Sequence, residues 1–380
     1  MFQPDNDGVV NDEASSSSPP LPDPPLRAAV VGLGWAGQQH MKAYAELPGV
    51  DLVAISGKEQ ALGLSLCEEF GVPLFVDDWS ELLERTPLDV VSIAVPTYLH
   101  APVAIGALQR GIHVLTEKPM ARAAEEAAQM VQAARAAGQV LDVAFNHRRR
   151  GDIEALRGLI AEGSIGTPYH ARASWMRRKG IPKLGSWFTN REMAGGGALL
   201  DIGVHVLDYA LYALGEPEVR SVSAVTHAAL GSRGLGGSER DTALEGTSEF
   251  EVEDMAAAFV RFADGTALVL ETSWAAFRDP VDLMDIAVLG SDGGAELSIV
   301  GATALEAAEI RVFRDEDGRI ADFRVPTRPG RGHIKVVDDF IGAVRRPEEW
   351  GLHDGGRALV RAEIIDACYR SAAEGREVTL

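Results

Sequence analysis

Cysteine is nearly absent from this chain, with only Cys67 and Cys368 among 380 residues. Two thiols so far apart offer neither a disulfide framework nor a metal-ligand spacing, and they read as buried thiols in a reducing compartment. Positive charge is also short. Lys and Arg number 36 against 56 Asp and Glu, and the formal net charge of -20 argues against nucleic acid or an anionic membrane as partner. An anionic cofactor can bind only where the local field is favourable. No apolar run approaches the roughly 20 residues that a transmembrane helix needs. Residues 1–26 lack a basic start and an apolar core. Rich in Ser, Pro and acids, they read as a disordered tail rather than a secretory signal, with the cytoplasm as the expected compartment.

What is present is an ordinary globular composition, 46% hydrophobic and 24% charged, in a chain long enough for two cored domains. From Arg27 onward, apolar strands alternate with helices. Strands are expected at Ala28–Val31, Leu52–Ser56, Val90–Val95, His113–Thr116 and Val140–Phe145, with an Ala-rich helix at Ala123–Ala137. That alternation implies an α/β domain, residues 27–146, built on a doubly wound parallel sheet. Beyond Asn146 the rhythm changes. A helix at Ile153–Ala161, a strand at Tyr169–Met176 and an amphipathic helix at Ala198–Leu214 precede strands joined at Ala263-Asp264-Gly265, Ser291-Asp292-Gly293-Gly294 and Asp315-Glu316-Asp317-Gly318. Residues 147–380 therefore read as an α+β domain with an open, mostly antiparallel sheet, closed by helices at about His333–Arg345 and Gly355–Ala373. Glycine-rich Ala228–Gly237 reads as a mobile loop.

Gly32-Leu33-Gly34-Trp35-Ala36-Gly37 follows the first strand and opens the first helix. In that position G-x-G-x-x-G permits a tight turn, backbone approach to a pyrophosphate and close packing of helix on strand. The second strand ends Ser56-Gly57-Lys58, without the carboxylate that would take the ribose hydroxyls of NAD. A hydroxyl and a cation there favour NADP(H), with NAD(H) possible. The other reading is a solvated turn with Glu59 serving the ribose.

Two further constellations carry chemistry. Glu117-Lys118-Pro119 ends the strand His113–Thr116, where α/β folds place ligands. On its own, Lys118 reads as a surface lysine before a proline. On the Ala198–Leu214 helix, Asp201, His205, Asp208 and Tyr212 recur at intervals of four, three and four, which places them on one face. Asp201 and His205 form a usable acid–base pair. A lone histidine reads as a satisfied core residue, but the polar stripe and the Gly195-Gly196-Gly197 lead-in point to function. No second His or Cys stands at ligand spacing, so no metal is expected. Trp187 fits either a sugar platform or the core. Arg148-Arg149-Arg150 fits a phosphorylated substrate or, preferably, a solvated linker.

In that order and spacing, these three motifs resemble the Gfo/Idh/MocA family over nearly all of the chain from Arg27. The resemblance implies a Rossmann domain followed by the α+β domain, with Lys118, Asp201 and His205 as the catalytic set. It also implies that Gly32, Gly34, Trp35, Ala36, Gly37, Ser56, Gly57 and Lys58, with Pro96, Thr97, His100 and Glu117, serve the cofactor. Arg148 and Trp187 would lie near the substrate. The function implied is hydride transfer between a nicotinamide cofactor and a secondary alcohol or ketone of a sugar, cyclitol or related polyol. Alternatives are transient sugar oxidation with elimination or hydrolysis on a retained cofactor, and a non-catalytic dinucleotide sensor. An open sheet with one uncovered face suggests a homo-oligomer, dimer or tetramer.

Overall fold

The computed structural model describes residues 24–237, 250–301 and 307–380; residues 1–23 of the expected tail lie outside them. The first sheet has six parallel strands: β1 (Leu26–Val31), β2 (Val50–Ser56), β3 (Leu74–Val76), β4 (Val90–Ile93), β5 (His113–Thr116) and β6 (Leu141–Val143). Their order, β3-β2-β1-β4-β5-β6, is that of the Rossmann fold. Its strands are buried apolar runs. Val30 pairs with Ile55 on one side and Ser92 on the other, in the middle of the sheet. The helices are α1 (Trp35–Glu46), α2 (Gln60–Phe70), α3 (Trp79–Arg85), α4 (His100–Leu108) and α5 (Ala124–Ala137). Three-residue β3 is too short to announce itself in the sequence.

After α6 (Gly151–Ala161), the second sheet contains β7 (Pro168–Arg177), β8 (Val219–His227), β9 (Met255–Phe262), β10 (Ala267–Ser273), β11 (Asp282–Gly290), β12 (Gly293–Val300), β13 (Ile310–Glu316), β14 (Arg319–Val325) and β15 (Val378–Thr379). The order is β14-β13-β12-β11-β7-β10-β9-β8-β15. Its pairings are antiparallel except that of β7 with β10. The turns between β9 and β10, β11 and β12, and β13 and β14 fall where the Asp-Gly signals stand. Alternate residues such as Ala171, Leu270 and Ile286 are buried beneath helices, which include α8 (Val204–Leu214), following the short α7 (Arg191–Ala194).

Three expectations are corrected. The closing helix α9 (Gly332–Val344) does not pack in the second domain. Phe340, Val337 and Ile341 share a core with Met41 and Tyr44 of α1, so the chain returns to the first sheet before α10 (Gly356–Glu374) crosses to β8 and α5. Stretch Ala228–Gly237 is not a free loop, because Asp254 accepts the Leu230 and Gly231 amides at 2.7 Å each. Finally, Arg191–Leu214 has the length and apolarity of a membrane span. Its most apolar 18-residue window is 83% buried inside the fold, which makes it a core segment. Of the two thiols, Cys368 is buried and Cys67 half-buried.

Candidate active site

The carboxyl ends of β1, β2, β4 and β5 open onto a cleft of about 1090 Å³ between the two sheets. On its first-sheet side, Gly32 has φ +115°, and a Cβ there would stand 2.1 Å from the Ala94 carbonyl oxygen. A Cβ on Gly37 would meet the Gly32 oxygen at 2.0 Å, so α1 can pack this closely only on a glycine. Gly34 is different: nothing lies within 4 Å of its missing Cβ. Neither a side-chain cap nor an acidic residue occupies the first turn of α1, so its leading amides are free to receive an anion. A nicotinamide dinucleotide fits this cradle. Ser56, Gly57 and Lys58 stand beside it, with Trp35, Ala36, Lys42, Glu59, Pro96, Thr97 and Arg331 along the same cleft. Basic side chains thus collect here in a chain of net charge -20.

Lys118 and the α8 lead-in face this cradle from the other side. The Lys118 Nζ donates to Asp201 Oδ1 at 2.8 Å and to the Asp201 carbonyl at 3.1 Å. An ammonium has three donors, so one remains for the cleft. Trp274 Nε1 donates to Asp201 Oδ2 at 2.9 Å. Burial pushes the Asp201 carboxyl upward, but the charge and hydrogen bond of Lys118 outweigh it and hold the group below its ordinary value. His205 is 5% exposed. Burial, then the positive charge of Lys118, hold its pKa well below the ordinary value. The ring is therefore neutral at neutral pH, and its Nδ1 finds no partner within the described structure.

Asp201 does not belong to a plain α-helix. Leu199–Gly203 forms a π turn before α8, a widening found frequently at functional sites. Glu253 caps this lead-in, accepting the Leu199 amide at 2.9 Å and the Gly197 amide at 3.0 Å. A Cβ on Gly197 would lie 1.9 Å from the Glu253 carbonyl oxygen, which gives the Gly-Gly-Gly segment a packing reason.

The expected stripe of four residues splits here. Asp201 and His205 line the cleft; Asp208 and Tyr212 do not. Asp208 is 1% exposed and accepts Arg148 Nε at 2.8 Å and Arg361 Nε at 3.0 Å. Arg148 is therefore not at the cleft. It is spent on Asp208 and lies 5.6 Å from the centre of the Tyr212 ring. Two arginines neutralise a buried carboxylate that would otherwise be costly. Trp187 does line the cleft, stacked on Phe188 at 3.8 Å.

Two residues assigned to the cofactor turn their polar atoms elsewhere. His100 lines the cleft, yet its ring nitrogens lie 2.8 Å from the Pro119 carbonyl and 2.9 Å from that of Val95. The ring braces the loops at the ends of β4 and β5. Glu117 points its carboxylate at His40 and His333. These three bring ligand-type atoms within 4.8 Å of one another, a cluster that spacing along the chain could not reveal. Sequence reasoning also missed His147 and Trp175, whose rings lie 4.5 Å and 5.8 Å from that of His205. Burial, with help from Arg150, pushes His147 down to about 3. Its one sequence signal is its position just beyond the carboxyl end of β6.

Known proteins match both halves of this architecture. Residues 26–145 match the description "Oxidoreductase family, NAD-binding Rossmann fold", and residues 153–296 match "GFO/IDH/MocA C-terminal domain". D-glucoside 3-dehydrogenase of Escherichia coli (strain K12) is 32% identical, covering 94% of this chain and 98% of its own length. A putative UDP-kanosamine synthase oxidoreductase subunit of Amycolatopsis mediterranei (strain S699) is 32% identical over 92% of this chain and 97% of its own. The solved structure of levoglucosan dehydrogenase in complex with NADH and levoglucosan superposes with a TM-score of 0.78. It is 26% identical, covering 93% of this chain and 99% of that one. With matches to both domains and relatives similar along nearly their whole length, the chain belongs to the Gfo/Idh/MocA family of oxidoreductases.

Proposed function

We propose that this oxidoreductase acts on a secondary alcohol, or the corresponding ketone, of a sugar, cyclitol or related polyol. The observation that carries the reading is that Lys118, held by Asp201, and neutral His205 line one cleft. Lys118 donates to the substrate oxygen and stabilises negative charge developing there. His205, kept neutral by burial and by Lys118, accepts the hydroxyl proton in oxidation and returns it in reduction. Asp201, locked by Trp274, holds Lys118 in place. The nicotinamide ring, when bound, supplies the two-electron exchange with the substrate carbon. Trp187 and Phe188 offer an apolar platform for a sugar ring, a reading supported by the sugar substrates in the relatives' names.

Lys118→Ala and His205→Ala each remove a group that interacts most strongly in the transition state. Losses of about 10²–10⁴-fold in turnover are expected, with dinucleotide affinity retained. Steady-state kinetics on polyols and keto-sugars, with both cofactors, provide the test. Wild-type turnover in both variants would refute the assignment.

NADP(H) is the favoured cofactor. Lys58 lines the cleft and, among the described residues, is held by Asp78 at 3.7 Å, with both side chains exposed. Such a contact is worth about 0–1 kcal/mol, so a 2′-phosphate can take the ammonium. Lys58→Ala should lower kcat/KM with NADP(H) selectively; equal loss with NAD(H) counts against this preference. A homo-oligomer remains the expected assembly, since the sheet face opposite the helices presents half-exposed Phe259, Val269 and Ala287. Light scattering tests it, and a monomer at high concentration would exclude it.

A further inference from the structure

Between β14 and α9 the chain crosses back to the first sheet through Arg328-Pro329-Gly330-Arg331-Gly332-His333. The crossing is packed backbone against backbone. A Cβ on Gly330 would meet the Arg149 carbonyl at 2.3 Å, and one on Gly151 would meet that of Arg328 at 1.9 Å. This fixed path brings His333 to the cleft, 5.2 Å from the Trp35 ring in edge-on contact. His333 Nε2 lies 3.2 Å from Glu117 Oε1, and His40 Nε2 lies 3.1 Å from the same oxygen. The other carboxylate oxygen accepts the backbone N–H of Lys118 at 3.2 Å.

The network continues inward from Glu117. His40 Nδ1 lies 2.8 Å from Ser92 Oγ, and that hydroxyl lies 2.8 Å from the Tyr44 hydroxyl. Burial pushes the Glu117 carboxyl upward, but hydrogen bonds from His333 and His40 outweigh it and keep the group ionised. An ionised carboxylate only accepts. Its Oε2 accepts the Lys118 amide while the two imidazoles face Oε1.

We propose that His333 is a positioning residue for the reaction. By donating to Glu117 it fixes the backbone of Lys118, so that a segment distant in sequence sets the geometry at the reacting end. The inference rests on the reading of Lys118 as the residue that holds the substrate oxygen. His40 faces the same oxygen from α1, so the two rings together hold that end of the carboxylate. Without His333 one of the two rings at that oxygen is gone, and the hold on the carboxylate that accepts the Lys118 amide is loosened.

The test uses the full chain in four forms: wild type, His333→Ala, His333→Gln and Lys118→Ala. The glutamine amide keeps an N–H donor and serves as the conservative rescue. Readouts are kcat and KM on a sugar substrate, NADH affinity from fluorescence titration, thermal stability, and hydrogen exchange at the Lys118 amide resolved by mass spectrometry. His333→Ala is expected to lower kcat by about tenfold or more, within the 10²-fold that a 1 Å misplacement can cost. Substrate KM and NADH affinity should hold, while the Lys118 amide exchanges faster. His333→Gln should restore both kcat and slow exchange. Wild-type kcat and exchange in His333→Ala would overturn the proposal. So would a loss confined to NADH affinity, or a glutamine variant no better than alanine. An active Lys118→Ala enzyme would refute the proposed function. An inactive Lys118→Ala with a fully active His333→Ala would refute the clamp alone.

Discussion

Replacing Asp201 with asparagine keeps the shape of the side chain and removes one charge, yet two structural contacts make it far from silent. Asp201 Oδ1 receives Lys118 Nζ at 2.8 Å and Oδ2 receives Trp274 Nε1 at 2.9 Å. A carboxylate can accept at both oxygens; an amide accepts at one and donates at the other. If the asparagine oxygen faces Lys118, its NH₂ meets the indole N–H. If it flips, the NH₂ meets the ammonium. Either way one buried donor loses its acceptor, at about 1–3 kcal/mol. The surviving contact to Lys118 also weakens to roughly half, because the acceptor is no longer charged. Asp201→Asn should therefore cost about 2–4 kcal/mol. Trp274→Phe deletes the indole donor and identifies the source of the cost. With the asparagine oxygen on Lys118, the charged donor that favours it, each single variant breaks the same indole–carboxylate bond, so the double variant should cost about 1–3 kcal/mol less than the sum of the two. Urea unfolding followed by circular dichroism measures all four chains, provided that the slope stays constant across them. Strict additivity, or an Asp201→Asn chain as stable as wild type, would refute the geometry argued for this carboxylate.

The second and third glycines of the turn should separate cleanly. Gly37→Ala forces a Cβ against the Gly32 oxygen at 2.0 Å and should lower stability by about 1–3 kcal/mol. Gly34→Ala meets no protein atom within 4 Å, so Tm should hold while dinucleotide Kd rises about tenfold, or roughly 1.4 kcal/mol; a matching Tm loss would contradict the open approach. Arg148→Met removes a charged partner of buried Asp208 and should cost about 1.5–3 kcal/mol of stability with substrate KM unchanged, whereas a raised KM at intact Tm would return Arg148 to the substrate. Acid should weaken the fold through its buried imidazoles. Burial lowers His113 to about 4 and His147 to about 3, below the value of about 6.5 in an unfolded chain. The unfolded state then binds protons first, so this stability is complete above pH about 6.5 and falls as pH drops toward 4. His353, raised by its hydrogen bond to Asp142, opposes the trend, as do the burial-raised carboxyls of Glu253 and Asp366. A Tm that stays flat from about pH 7 to 5 would contradict the sign worked out from the buried pair.

The legible parts of this molecule were those whose chemistry is local. Strand β4, the turn at Gly32 and the proline after Lys118 each declare themselves within a few residues, because backbone conformation and sheet burial act over that range. The order of the three motifs then placed Lys118, Asp201 and His205 at one cleft. What escaped was set by partners remote in sequence. Asp201 and Asp208 look equivalent on an ideal helical wheel, but the π turn at Leu199–Gly203 changes the phase between them, and two arginines draw Asp208 into the protein. Periodicity counts residues per turn and is blind to both effects. Arg148 was misplaced for the same reason, since nothing beside it in the chain reveals the carboxylate that binds it. Helix α9 read as part of the second domain because sequence order is a poor guide once a chain doubles back. Its core partners, Met41 and Tyr44, belong to the first helix of the fold. That return also explains why Glu117, the residue next to the most legible lysine, was assigned to the cofactor: the two imidazoles that claim its carboxylate come from α1 and α9. The chemistry of a motif is thus readable from its own residues, whereas its alignment depends on segments that meet it only in the folded chain.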